Sequence, residues 1–214
     1  KALNRFRNFA FRVSRNNTRT CWVLKCDIKK FFENINHEIL LEILGGYIPD
    51  KNIISLTSVI IQSFNSGIRG VGLPLGNLTS QLLVNIYMNE FDQFVKHTLK
   101  VKQYIRYADD FVVLSQSRLY LKSILPAMRE SLESRLKLAL HPHKISIQTI
   151  ASGVDFLGWV HFPDHRVLRT TTKKRMFRNI KEKEGKAETV QSYYGLLKHG
   201  NAQKLSTKVQ LLAE

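Results

Sequence analysis

Three aspartates offer the chemistry in this sequence. Asp27 closes an alternating apolar segment, and Asp109 and Asp110 stand side by side between two short β-type runs, 82 positions further along. In an antiparallel sheet a strand end and a hairpin tip can lie together however far apart they are in the chain. Carboxylates gathered in this way repel one another unless cations neutralise them. Such hard oxygen donors suit Mg²⁺, which takes one or two carboxylates and completes its shell with water and phosphate. Two ions held so can activate an attacking hydroxyl and stabilise a leaving pyrophosphate. The competing reading of Asp109-Asp110 is a polar hairpin turn and nothing more.

Placing these residues is the task of the surrounding elements. Cys21 to Ile28 alternates Trp22, Leu24, Cys26 and Ile28 with Val23, Lys25 and Asp27, the pattern of a strand that delivers Asp27 near its end. Asn36 is a good N-cap for a helix over His37 to Leu44, with Gly45 and Gly46 as its stop, and a second helix follows Asp50 to about Phe64. Ser66 to Asn77, with four glycines around Pro74, is loop. It leads into a long amphipathic helix from Leu78 to about Leu99. Gln103–Tyr107 and Phe111–Ser115 read as a hairpin with its carboxylates at the tip. A helix from about Leu119 to Ala139 comes next, with Pro126 kinking it or ending a first piece. Lys144–Ile150 and Val154–Val160 are strands, and basic helices finish the chain. This order describes an α+β fold: a mostly antiparallel sheet with helices on one face.

Charge is unevenly spread among these elements. The chain has 214 residues, 33 Lys and Arg against 17 Asp and Glu, and a net charge of +16. Residues 1–30 hold nine basic residues against one acid, residues 31–159 twelve against eleven, and residues 160–214 twelve against five. Two basic ends around a near-neutral middle suit a polyanionic partner, either a nucleic acid or an anionic membrane surface. A 43% hydrophobic content excludes wholesale disorder. No apolar run reaches the roughly 18 residues of a membrane span, and no signal-peptide pattern opens the chain; the expectation is a soluble, cytoplasmic protein. Cys21 and Cys26 are too few for a disulfide framework and fall on opposite faces of one strand. Together with His141, His143, His161 and His165 they lack zinc-finger spacing.

With the neighbouring residues included, the sequence resembles the reverse transcriptases, RNA-directed DNA polymerases of the right-hand palm type. Asp27-Ile28-Lys29-Lys30-Phe31-Phe32 is similar to their motif A, and Gly72-Leu73-Pro74-Leu75-Gly76-Asn77-Leu78-Thr79-Ser80-Gln81 to motif B. Tyr107-Ala108-Asp109-Asp110 resembles motif C, Leu138 to Lys144 motif D, and Phe156-Leu157-Gly158-Trp159 the primer grip of motif E. Five motifs stand in family order over about residues 20 to 160.

The resemblance implies a right-hand palm over residues 20–163, with a remnant of the fingers at 1–19 and the start of a helical thumb at 164–214. It implies two Mg²⁺ ions, with Mn²⁺ as a substitute, held by Asp27, Asp109, Asp110 and the Ile28 carbonyl. Lys144 is implied as proton donor to pyrophosphate, with a phosphate contact or a solvated charge as the alternatives. Lys29, Lys30, Phe31, Phe32, Leu75, Gly76 and Gln81 fall at the nucleotide. Phe32 is the bulky residue whose ring would clash with a ribose 2′-OH, with a core aromatic as the bland alternative. Gly76 lets the backbone approach the nascent pair. Arg166, Arg169, Lys173, Lys174, Arg175 and Arg178 would follow the nucleic-acid backbone without reading sequence. The implied partners are an RNA template, a DNA or RNA primer, deoxynucleoside triphosphates and a retroelement accessory protein, with no membrane.

Many members of the family carry Gln before the motif B glycine and a Ser-Pro ending. Here Leu75 precedes Gly76 and the ending is Ser80-Gln81, a variant similar to the bacterial diversity-generating retroelements, which copy with errors at adenines. An aliphatic Leu75 lacks the amide that could hydrogen-bond near the incoming nucleotide. Only about twenty residues precede the first strand, with Arg5, Arg7, Arg12, Arg15 and Arg19 among them, and the first residue is Lys rather than Met. The expectation is a fragment that need not be active alone. Two other readings stay open. Arg106-Tyr107-Ala108-Asp109-Asp110-Phe111 echoes the Arg-Tyr-Gly-Gly-Asp-Glu-Phe turn of diguanylate cyclases, and the charge alone suits a non-enzymatic nucleic-acid-binding module.

Overall fold

The computed structural model describes residues 1–64, 66–183 and 185–211; the last three residues of the expected thumb lie outside the described residues. The chain forms two compact units, one of residues 24–147 and one of residues 1–23 with 148–214.

The unit of residues 24–147 is built around a sheet of strand order β2-β3-β1-β4. Its strands are β1 (Trp22–Asp27), β2 (Tyr104–Tyr107), β3 (Asp110–Ser115) and β4 (Ser146–Thr149); the ends of β1 and β4 run into the other unit. β2 and β3 pair antiparallel with Tyr107 opposite Asp110, so the connecting loop is only Ala108 and Asp109. Asp110 is therefore a strand residue, and Asp109 alone sits in the turn. Ala108 has φ 53°, a value that two-residue hairpins demand and that glycine usually supplies.

The α-helices of this unit among the described residues are α2 (His37–Tyr47), α3 (Lys51–Gln62), α4 (Leu78–Gln93) and α5 (Arg118–Leu136). α2 packs on α3 and α4, and α5 packs on β3 and α4. The Asn36 side chain caps α2 by accepting from the Ile39 N–H, and Asp50 caps α3 from the Asn52 and Ile53 N–H groups. Gly45 and Gly46 do not stop α2. The helix runs through them and ends at Ile48, whose extended backbone (φ −114°, ψ 106°) is what the following Pro49 requires.

Pro126 likewise leaves α5 a single helix. The buried row Leu121, Ile124, Met128, Leu132 and Leu136 anchors both halves on one face, and that packing outweighs the lost hydrogen bond. α4 passes into a π turn over Phe94–Thr98 before the chain reaches β2. No helix among the described residues is long and apolar enough to cross a membrane.

The other unit holds α1 (Ala2–Val13), the antiparallel sheet β5 (Val154–Phe156), β6 (Trp159–His161) and β7 (Arg166–Leu168), and helices α6 (Thr170–Glu182), α7 (Ala187–Leu197) and α8 (Gln203–Leu211). The single strand expected over 154–160 is thus a hairpin. Leu157 (φ 53°) and Gly158 (φ 80°) both take left-handed backbone, which reverses the chain in two residues. β7 was not foreseen, and it holds Arg166 in the sheet ahead of the basic helix. Trp159 is fully buried with Leu168, Met176, Ile180, Val190 and Leu197, and Phe6 of α1 packs on Phe156 and His161 at 5.6 and 4.4 Å. Cys21 and Cys26 are buried free thiols, pushed up to about 12 by burial.

Candidate active site

Asp27 is the last residue of β1 and 9% exposed. Backbone bonds hold its segment on two sides. The Ile28 N–H donates to the Asp109 carbonyl at 3.2 Å, while Lys29 N–H donates to Ala139 at 2.9 Å and His141 N–H to the Asp27 carbonyl at 2.8 Å. Ile28 also bridges to Leu140. The strand end is thereby fixed between the hairpin tip and the segment leading to Lys144. That segment closes in a short helical turn, Pro142–Lys144, whose Lys144 Nζ reaches both Asp27 carboxylate oxygens at 3.0 Å.

Burial raises the Asp109 carboxyl above its ordinary range, and the Asp27 charge adds to that; Lys144 and local backbone hydrogen bonds oppose it. Two carboxylates that feel each other's charge beside one ammonium are short of positive charge, which is the condition a divalent cation relieves. Asp110 is placed otherwise. Its carboxylate lies 3.8 Å from Lys25 Nζ, and among the described residues no three His, Cys, Asp or Glu side chains gather closely enough to hold a metal. Asp27, Asp109 and Lys144 thus share one electrostatic neighbourhood, with Asp110 on the adjoining strand beside Lys25.

Behind the tip stands a partly buried polar brace. Arg106, with its side chain 8% exposed, donates from Nε and Nη2 to both oxygens of Asp92 on α4, at 3.0 and 2.8 Å. Its Nη1 donates to Asn85 at 3.1 Å and to the Ala108 carbonyl at 3.2 Å. Tyr104 adds its hydroxyl to Asp92 at 2.7 Å, with burial first and the Asp92 charge second holding that hydroxyl well above its ordinary range. Burial would lower the Arg106 guanidinium, but its bonds and charge contact with Asp92 leave it raised instead. The bidentate pair ties the two-residue turn carrying Asp109 to the helix behind it. No sequence pattern links Asp92 to Arg106; the only signal is a charged residue at an inward strand position.

The expected nucleotide residues are distributed over two stitched segments. Phe31 is buried, and Phe32 is half-buried with its ring edge-on to Phe31 at 5.4 Å. Lys29 is exposed, and Lys30 pairs with Glu33 at 2.9 Å. The segment 32–37 then binds the glycine loop: Leu73 N–H to Phe32 O (2.8 Å), Gly72 N–H to Ile35 O (2.8 Å), His37 N–H to Gly70 O (2.9 Å) and Ser66 Oγ to Glu33 O (2.8 Å). The buried His37 ring adds an Nε2 bond to the Gly72 carbonyl at 2.6 Å. Gly72 allows this closeness, since a Cβ there would stand 2.8 Å from Ser66 Cβ at φ 110°. His37 and Ser66 were not singled out from sequence, where they read as helix-start and loop residues. Beyond the stitched part, Leu75 is 74% exposed, Gly76 (φ 91°) faces open space, and Gln81 is exposed on the first turn of α4.

The expected primer grip and thumb cations belong to the other unit. Phe156 and Trp159 are the paired, fully buried flanks of the β5–β6 turn, with Leu157 and Gly158 as the turn itself. Two of the cations serve the structure. Arg169 precedes α6 and pairs with Asp155 at 2.9 Å, and Arg166 donates to the His199 carbonyl and to Asn4. Lys173 is half-buried. Lys174, Arg175 and Arg178 form the exposed face of α6, opposite the buried Thr172, Met176 and Ile180, with Arg178 at 3.8 Å from Glu182.

Comparison with known proteins bears on this geometry. A family model described as reverse transcriptase (RNA-dependent DNA polymerase) matches residues 3–161. Protein YkfC of Escherichia coli is 26% identical over 193 residues, which covers 73% of this chain and 49% of that protein. The group II intron-encoded protein LtrA of Lactococcus lactis is 24% identical, covering 72% of this chain and 36% of that protein. The chain thus spans about half the length of the first of these relatives, and less of the second. The structure of the telomerase of Candida tropicalis in complex with the TWJ fragment of telomeric RNA aligns with a TM-score of 0.61 at 14% identity, over 99% of this chain and 41% of that one. A likeness at that identity establishes the fold, which is the right-hand polymerase architecture.

Proposed function

We propose, because the chain belongs to the reverse transcriptase (RNA-dependent DNA polymerase) family, that Asp27 and Asp109 are the carboxylates at which it extends a primer 3′-hydroxyl with deoxynucleotides on an RNA template. The observation that carries this reading is the pairing of Asp27 and Asp109 across the β1 end and the β2–β3 turn, with Lys144 on the first of them. The donor set suits hard divalent cations, two Mg²⁺ with Mn²⁺ as a substitute, with Asp110 and the Ile28 carbonyl completing it. When bound, such ions supply positive charge to the attacking hydroxyl and the leaving pyrophosphate.

The chain's own residues do the rest. Lys144, 53% exposed, can exchange Asp27 for a phosphate oxygen and give its proton to pyrophosphate. Phe32 stands under the sugar and rejects a 2′-OH; Lys29, Gly76 and Gln81 line the nucleotide, with Lys30 kept in place by Glu33. Phe31, 4% exposed, backs Phe32 from the core instead of lining the nucleotide as its motif position implied. The β5–β6 turn holds the primer end, and the exposed cations of α6 follow the backbone. Residues 1–19 are assigned to the fingers, 20–163 to the palm and 164–214 to the thumb. The family assignment displaces the diguanylate-cyclase alternative, and the carboxylate pair argues against a pure binding module.

Relatives encoded in group II introns support a retroelement setting. Error-prone copying of the diversity-generating kind rests on Leu75 and the Ser80-Gln81 ending alone. Primer extension on an RNA template, with Mg²⁺ and deoxynucleotides, tests these points in the full-length protein. Incorporation should vanish in Asp109→Ala, Asp110→Ala and slow about 100-fold in Lys144→Ala where chemistry limits the rate. Sequenced products should carry errors opposite adenine that Leu75→Gln reduces. Incorporation that survives loss of both aspartates overturns the assignment.

A further inference from the structure

The unit of residues 1–23 and 148–214 contains a cavity of about 220 Å³ that the polymerase reading leaves without a task. Arg7 of α1, Arg166 of β7 and Lys198 after α7 line it, together with a single acid, Asp164. That acid is engaged, since His165 Nδ1 lies 2.7 Å from its carboxylate. Arg166 is held in place by the His199 carbonyl, by Asn4 at 3.2 Å and by the Trp159 ring 6.0 Å from its guanidinium carbon. Its remaining nitrogen, Nη1, is buried and has no hydrogen-bond partner among the described residues.

A buried guanidinium donor with no acceptor costs about 1–3 kcal/mol, and natural structures seldom leave one. Burial first and the like charge of Arg7 second disfavour the Arg166 cation, which adds to the shortage of negative charge here. A tetrahedral oxyanion offers several acceptors and negative charge at once, and guanidinium groups match it. Size narrows the choice: small-molecule pockets run about 300–1,000 Å³, so this cavity takes a phosphate group and its waters but not a whole nucleotide.

We infer that Arg7, Arg166 and Lys198 form a binding site for one phosphate group, supplied by the backbone of a nucleic-acid strand. The phosphate chemistry stands on the cavity; its nucleic-acid source rests on the function proposed above.

The test uses the whole chain with Arg7→Ala and Lys198→Ala together, both exposed residues, and leaves the structural Arg166 intact. A control variant, Lys51→Ala with Lys122→Ala, removes the same charge from exposed positions outside the cavity. Binding of a labelled RNA–DNA duplex is followed by anisotropy across a salt series, and melting is followed with inorganic phosphate or pyrophosphate against chloride at matched ionic strength. The cavity variant should bind duplex about three- to tenfold more weakly, with its salt slope reduced by about 0.7–0.9, the value for one phosphate contact. The control should lose less.

Phosphate that raises the melting temperature of the wild-type chain but not of the cavity variant, with duplex binding unchanged, keeps the site and makes free phosphate its ligand. A cavity variant that matches the control in both measurements overturns the site. Failure of primer extension would overturn the polymerase reading while leaving this binding result standing.

Discussion

Burial, with the Asp27 charge added to it, raises the Asp109 carboxyl above its ordinary 3.8, so the folded chain without metal binds a proton there more readily than the unfolded chain does. A raised carboxyl contributes stability that is complete at low pH and is lost as pH rises through the folded value. Asp109→Asn removes the charged form. The variant should therefore melt higher than wild type at pH 7 in chelator, with the gain disappearing as pH falls below 3.8. Mg²⁺ should raise the wild-type melting temperature and leave the variant's unchanged. A variant that melts lower at pH 7 would refute the strained pair. Phe32 allows a second residue-scale prediction, because Phe31 fills the core and leaves the Phe32 ring half-buried. Phe32→Ala should fold and incorporate ribonucleotides at least about tenfold better relative to deoxynucleotides, a ratio worth about 1.4 kcal/mol. Unaltered sugar selection would return Phe32 to the core.

At the scale of elements, the site depends on two connections that hold short segments still. Arg106 joins α4 to the β2–β3 turn through Asp92 and the Ala108 carbonyl. Removing one partner of a fully buried ion pair costs about 3–5 kcal/mol; Asp92 keeps 23% of its side chain exposed, so Asp92→Ala should lower unfolding free energy by less than that, about 1–3 kcal/mol, in denaturant titrations. Arg106→Lys keeps the charge but not the fork. It should retain most stability while lowering kcat more than it alters KM, since the Asp109 turn is no longer held from behind. Equal kcat with reduced stability would make the brace purely structural. The second connection is the stitching of 32–37 to the glycine loop. Gly72→Ala forces both a left-handed φ and a contact on Ser66, and about 2 kcal/mol of destabilisation is expected from such strain, read as a lower denaturation midpoint at unchanged m-value.

At the scale of the whole molecule, the net charge of +16 divides into distinct kinds. Arg169 is committed to Asp155, Arg106 to Asp92 and Lys144 to Asp27, whereas Lys174, Arg175 and Arg178 line the exposed side of α6. Cations of the last kind, like the exposed Arg7 and Lys198 at the cavity, are free to release counterions from a duplex on binding. Replacing these three by Ala should cut the salt slope of duplex binding by up to about 2–3, at about 0.9 per phosphate contact, and spare the melting temperature. A slope that does not move would show that the α6 face is not the duplex track.

The sequence by itself determined the family, the positions of Asp27 and Asp109, the cap at Asn36, the start of the next helix after Asp50, and the hairpin that presents the turn. Each of these is written in local spacing or in short motifs that neighbouring residues make specific. Tertiary structure decided what local pattern cannot hold. Packing of Leu121, Ile124, Met128 and Leu132 carried α5 through Pro126, and Pro49 rather than Gly45-Gly46 ended α2. The one-residue shift that put Asp110 in a strand gave it to Lys25 and left Asp109 alone in the turn. The partners of Arg106, His37 and Arg166 were also invisible beforehand, because a buried polar side chain takes its partner from whatever the fold brings near it, and chain distance says nothing about that.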